Sequence, residues 1–192
     1  MSEELIVIER SLPEANRRQA AEIFYEALFS PFLPEDGGIA LLARLFDPAR
    51  AIVARRGPDL LGLAGLNYGG SRLVRWQPRL YLEELGLLRG LFYAAALRLY
   101  VRPLREGQLL MDGLAVHTSA RGQGIGTRLL DAVGDFAREH GYRSVRLDVV
   151  DTNPRARVLY ERLGFVPAAT HHLPGLRRFI GFSAYTTMIR PV

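Results

Sequence analysis

The sequence predicts a mixed α/β domain with one central sheet and helices packed on both faces. Three observations carry that expectation. Short apolar, β-branched runs are interspersed with longer stretches of helical periodicity along the chain. Turns bearing glycine or proline separate them, as at Gly57-Pro58-Asp59 and Gly122-Gln123-Gly124. The 192 residues, 48% of them hydrophobic, match one ordinary domain, 1–192, with interior enough for a core.

The elements follow in order. Leu5-Ile6-Val7-Ile8 is the first strand. Residues 13–29 carry Ala20, Ile23, Phe24 and Ala27 at helical spacing, with Pro13 near the start. A second helix, 39–46, is stopped by the approach to Pro48. Strands at 51–55 and 60–67 join through Gly57-Pro58-Asp59 as a hairpin. Residues 109–117 form a strand, 125–140 a helix, 144–150 a strand and 154–163 a helix; 165–170 and 182–189 are the last two strands. Pro154 suits the first position of its helix, with Asn153 as the cap before it and Gly164 just past the end.

Residues 69–108 stand apart. Within them 80–101 is apolar enough to suggest a membrane span, but Glu83, Glu84, Arg89 and Arg98 interrupt it. Each would cost about 2.5–3.5 kcal/mol at a bilayer centre, so no span is expected. Tyr81, Leu85, Leu88, Phe92, Ala96 and Leu99 recur three or four apart, predicting one long amphipathic helix or two short ones split near Gly86 or Gly90. Packing on the sheet is the plain reading. A lid over a second substrate or a homodimer contact comes next, ahead of a membrane-surface helix.

Composition narrows the chemistry. Without cysteine there is neither a disulfide framework nor a thiol nucleophile. No leader pattern opens the chain, which sets a cytoplasmic location as the expectation. The 25 basic residues are all arginine against 20 acids, a balance that suits an anionic ligand. They are scattered without an aromatic-interleaved run, so no nucleic-acid partner is expected.

Arg121-Gly122-Gln123-Gly124-Ile125-Gly126-Thr127 lies between a predicted strand and a predicted helix. Its glycines let the backbone turn sharply, and the first helical N–H groups lack partners at the positive end of the helix dipole. A pyrophosphate is the fitting guest. A dinucleotide turn beginning at Gly122 would need glycine where Thr127 stands, and a P-loop needs a lysine that the chain lacks. R-x-x-G-x-G fits, as Arg121, Gly124 and Gly126, preceded by Leu114-Ala115-Val116-His117. A second pattern, N-x-x-A-x-x-x-Y-x-x-x-G-F, is made by Asn153, Ala156, Tyr160, Gly164 and Phe165. Ala156 and Tyr160 share a helix face. The pair, in this order, resembles the two signatures of the GNAT N-acetyltransferase superfamily, over roughly 109–166 and more weakly beyond.

That resemblance implies a splayed sheet, acetyl-CoA as acyl donor, no metal, and an amine acceptor that is a small molecule or a protein amine. The expected cofactor-binding residues are Leu114, Ala115, Val116, Arg121, Gly122, Gln123, Gly124, Ile125, Gly126, Thr127, Asn153, Ala156 and Tyr160. The Leu114–Val116 backbone would pair with the pantetheine arm, and the Val116 N–H would polarise the thioester carbonyl. Tyr160 would protonate the departing thiolate, and Asn153 would contact the cofactor arm. Read without the motif, Tyr160 is an aromatic that packs a helix onto the sheet. The superfamily joins its third and fourth strands by a short turn, so 69–108 reads as a helical insertion.

For the base, Asp112 is the first candidate, since period two sets it on one strand face with Leu114 and Val116. It is shorter than the Glu often found in this strand. His117 reads as a strand-end cap, and His171 and His172 as a polar edge within reach of the acceptor. Asp148 and Asp151 read as strand end and turn. The leading function is N-acetyl transfer by direct attack in a ternary complex, with catalytic Tyr160 and Asp112. A non-catalytic acyl-CoA-binding or sensing module is the alternative, and a nucleotide- or nucleic-acid-binding protein using the basic surface is third.

Overall fold

A computed structural model describes residues 5–30, 33–99, 104–175, 177 and 181–192, the side chains of 36 and 96–99 excepted. Among the described residues eight strands form one mixed sheet: β1 (Ile6–Glu9), β2 (Ala51–Arg56), β3 (Asp59–Tyr68), β4 (Ser71–Arg72), β5 (Gln108–Val116), β6 (Ser144–Val150), β7 (Val166–His172) and β8 (Ala184–Pro191). Their order is β1-β2-β3-β5-β6-β8-β7, with the short β4 paired to β3. Every pairing is antiparallel except β5 with β6.

The helices are α1 (Arg17–Phe24), α2 (Glu35–Leu45), α3 (Pro78–Leu85), α4 (Leu87–Leu99), α5 (Ile125–Glu139) and α6 (Pro154–Arg162). They cover both faces, as expected. On one face, Phe24, Leu41, Leu45, Phe46 and Tyr81 bury Val53, Leu63 and Ala115. On the other, Ile125, Leu129, Val133 and Tyr160 bury Ile52, Ala64, Met111 and Val145. Alternate residues of β2 supply the two cores, the period-two signature of a strand covered on both sides.

Several boundaries differ from the sequence reading, each for a local reason. The helix expected over 13–29 is three pieces: a 3-10 turn at Glu14–Asn16, α1, and a π-helical turn at Tyr25–Phe29. The Tyr25 hydroxyl donates to the Leu33 carbonyl at 2.9 Å and holds the chain beyond that turn. Helix α2 starts four residues early, directly after Pro34, because Gly37 and Gly38 mask its first turn in the sequence. Arg17 closes its other end, donating to Ala43 and Phe46 carbonyls at 3.0 Å each.

The insertion is helical and breaks at Gly86, where φ is +76°. The apolar stripe does not survive the break. Tyr81 and Leu85 are buried, whereas Leu88 and Phe92 are 82% and 66% exposed. The side chains of Ala96 and Leu99 lie outside the described residues.

Candidate active site in the gap between β5 and β6

β5 and β6 pair only through Gln108, Leu109 and Leu110 with Ser144, Val145 and Arg146. Beyond these, β5 stays bonded to β3 and β6 to β8, so the sheet opens between them like a wedge. The His117 N–H donates to the Leu61 carbonyl at 2.9 Å. That bond sets the phase of the antiparallel ladder: 113, 115 and 117 turn their amides to β3, and Leu114 and Val116 turn theirs toward the gap. These are backbone groups of a central strand left without a strand partner on that side, which makes the gap a place for an extended ligand.

At the wide end of the gap the chain turns through Thr118–Ala120 and the glycine loop into α5. Gly122 and Gly124 have φ of +78° and +77°, the left-handed region that glycine occupies without strain. No heavy atom stands within 4 Å of where a Cβ would be on either, so the loop faces open space. Gly124 is the N-cap of α5 and no side chain caps it. The amino end of a fifteen-residue helix is therefore presented uncovered, with its dipole behind it.

Side chains fix the loop from both sides. Arg121 Nε donates to the Val116 carbonyl at 3.3 Å, and Gln123 Nε2 to the Ser119 carbonyl at 3.0 Å. Arg56, at the end of β2, donates to Gln123 Oε1 at 3.0 Å. This second arginine at the loop was missed by the sequence reading, since a partner 67 positions away leaves no local signal. His117 is the cap expected of it: its Nδ1 accepts from the Ser119 N–H at 3.3 Å.

Helix α6 closes the same corner. Asn153 caps it, accepting the Ala156 N–H at 3.1 Å, with Pro154 in the first turn as expected. A Cβ on Gly126 would lie 3.2 Å from Leu159, 3.9 Å from Leu114 and 4.0 Å from Val116. The amino end of α5, the α6 side chains and the open edge of β5 thus meet at one point. Ile125 is buried under this corner and Thr127 partly so, whereas Ala156 packs against the adjoining core. Tyr160 is 7% exposed, its ring 5.8 Å from Phe165. Burial alone pushes its hydroxyl up to about 12, so it stays protonated throughout the neutral range.

The register around Asp112 interrupts the period-two spacing. The β3–β5 register slips between Gly65 and Leu66, which pair with Gly113 and Met111, leaving Asp112 as the extra residue of a β-bulge. Met111, Leu114 and Val116 all pack toward the α5 side. A Cβ on Gly113 would instead meet Leu28 and Phe24, on the α1 side. Period two is broken at this point, so it does not set Asp112 on the Leu114–Val116 face. Asp112 sits, half-buried, at the point where the strand crosses between the two cores.

The remaining polar candidates have structural partners. His171 stacks on Tyr185 at 4.8 Å on the outer β7–β8 edge, and His172 is exposed beside it. Asp151 accepts the Ser183 N–H in the turn before α6. Asp148 lies inside β6 rather than at its end: its buried carboxylate accepts from Thr187 Oγ1 at 2.7 Å and faces Arg146 at 3.8 Å. Among the described residues no group of three or more His, Asp or Glu could hold a metal ion.

An opened parallel pair beside a bare helix amino end offers unpaired amides to an extended or anionic group. The acetyltransferase (GNAT) family model matches residues 17–165, and the chain belongs to that family. It is 43% identical over 63 residues to mycothiol acetyltransferase of Beutenbergia cavernae, which is 33% of this chain and 21% of that protein. To N-acetyltransferase 8B of Homo sapiens it is 44% identical over 62 residues, 32% of this chain and 27% of that protein. The chain thus matches less than a third of the length of these curated relatives. The fold is also that of a GCN5-related N-acetyltransferase from Kribbella flavida, with a TM-score of 0.67 at 20% identity and all of both chains covered.

Proposed function

We propose that this protein is an N-acetyltransferase that moves an acetyl group from acetyl-CoA to a primary amine by direct attack within a ternary complex. The observation that carries the reading is the early end of the β5–β6 ladder, which turns the Val116 amide into a gap beside the uncapped end of α5. The amides of Arg121 to Gly126 hold the diphosphate, with Arg121 and Arg56 supplying positive charge. Leu114 to Val116 bind the pantetheine arm as an added strand, and the Val116 N–H receives the developing oxyanion. The amine nitrogen bonds to the carbonyl carbon, the C–S bond breaks, and the departing sulfur takes a proton from Tyr160. The apolar surroundings that raise the phenol also raise the proton affinity of the thiolate, so the transfer is not opposed by the whole difference between about 12 and about 8.5. Asp112 takes the amine proton from its place at the bulge, through a water where the reach is long.

The acceptor is a small-molecule or protein amine whose identity depends on α1, α2, the insertion and the loop before β8. A panel of amines incubated with acetyl-CoA, followed by free thiol, tests the reading: thiol release with at least one amine is expected, together with a rise in Tm on adding acetyl-CoA. The register slip at Asp112, which removes the period-two argument for a base on the Leu114–Val116 face, favours one other reading, a module that binds acyl-CoA without turnover. It gives the same Tm rise with no thiol release from any amine. A Tm indifferent to acetyl-CoA contradicts both.

A further inference from the structure

We propose that the outward face of α4 docks on an anionic phospholipid surface. The helix is buried the wrong way round. Its small residues, Gly90 and Ala94, are inside, and a Cβ on Gly90 would stand 2.5 Å from the Tyr81 carbonyl oxygen of α3. Four large residues are outside: Leu87, Leu88, Leu91 and Phe92 are 66%, 82%, 55% and 66% exposed, while Tyr93 packs against the core. At about 3.6 residues per turn these four fall on one face. Trp76 lies against the same helix, 44% exposed, with its indole N–H donating to the Ala94 carbonyl at 3.2 Å. Side chains of this size and exposure make a patch of a few hundred Å², which ordinary soluble monomers expose mainly at functional surfaces.

Charge selects the occupant. Between Glu84 and Glu106 the sequence has no acid and four arginines, Arg89, Arg98, Arg102 and Arg105. Arg89, on the flank of the apolar face, and Arg105 are exposed. The acids just before α4, Glu83 and Glu84, are held by Arg44 and Arg79. A second copy of the chain fits less well. A two-fold contact of α4 on α4 would bring Arg89 toward its own mate with no acid on the helix to offset it. An anionic bilayer reverses that term, attracting arginine while burying the apolar face. No described helix is long and apolar enough to cross a membrane, so α4 lies on the surface.

Trp76 is the only tryptophan and reports on the patch without a label. The full chain is titrated with vesicles of phosphatidylcholine alone and of phosphatidylcholine and phosphatidylserine at two to one, reading co-sedimentation and Trp76 emission. Binding with a blue shift is expected on the mixed vesicles, weakened about tenfold on neutral ones or in high salt. Leu88→Ser combined with Phe92→Ser abolishes it while leaving Tm and the response to acetyl-CoA unchanged, and Arg89→Glu weakens it on mixed vesicles only. Equal binding of parent and double variant, or no binding to mixed vesicles, overturns the proposal. A concentration-dependent dimer lost in the double variant, without vesicle binding, also overturns it and assigns the face to a second copy.

Discussion

The gap at β5 and the outer face of α4 expose opposite things. Between β5 and β6 the large side chains turn inward to the two cores, and polar backbone faces out: the amides of Leu114 and Val116 and the amino end of α5. On α4 the backbone is satisfied within the helix, and the apolar side chains of Leu87, Leu88, Leu91 and Phe92 face out. Each exposed chemistry names its complement. Bare amides at a helix start call for an anion, and bare leucines beside arginine call for an apolar layer with negative charge at its rim.

Substitutions sharpen the contrast. Tyr160→Phe has the largest expected effect, because the hydroxyl makes no hydrogen bond to another described residue and yet is the proposed acid. It should lower kcat about 10²–10⁴-fold and leave Tm almost unchanged, as read by thiol release and calorimetry. Normal turnover would remove Tyr160 from the mechanism.

Within the insertion, α3 and α4 should behave differently. Tyr81→Ala removes a ring that is 2% exposed and should cost about 3–5 kcal/mol of stability in denaturant titration. Leu88→Ser, one helix later, should stay within about 0.5 kcal/mol. Similar losses at both would mean that α4 is buried after all.

Alkaline pH probes two of the buried phenols. Tyr81 and Tyr160 are each pushed to about 12 by burial. A phenol raised from about 10 leaves its contribution intact below pH 10, and that contribution is lost as pH rises from about 10 toward 12. Tyr160→Phe should flatten this fall by on the order of 2 kcal/mol. Thiol release should not decline on account of Tyr160 below about pH 10.

The smallest effect belongs to the exposed Arg121, whose replacement by Ala should raise KM for acetyl-CoA about threefold to thirtyfold with kcat little changed. An equal effect on kcat would place the residue at the reacting carbonyl rather than at the diphosphate.

What could be read from the sequence was what depends on neighbours in the chain. The glycine loop, the Asn153–Pro154 cap and the hairpin at Gly57 are local instructions, and the strands and helices around them lie where expected. The gap itself was legible only through resemblance to a family, because nothing in β5 alone says where its pairing with β6 stops. Period two could not place Asp112, because it holds only while the register does, and the slip opposite Gly65 and Leu66 is a property of β3 as well. Arg56 and the Arg146–Asp148 pair were invisible or misplaced for the same reason, as tertiary neighbours. In the insertion, periodicity ran through Gly86, where φ of +76° ends one helix and redirects the next.

Amide hydrogen exchange across residues 108–127, with and without coenzyme A, tests the central claim most directly. Leu114, Val116 and the amides from Gly122 to Gly126 should exchange freely in the protein alone and slow markedly with coenzyme A, whereas Ala115, bonded to β3, should be slow in both. Slow exchange at Val116 without ligand, or no change anywhere in the segment on adding it, would contradict the account.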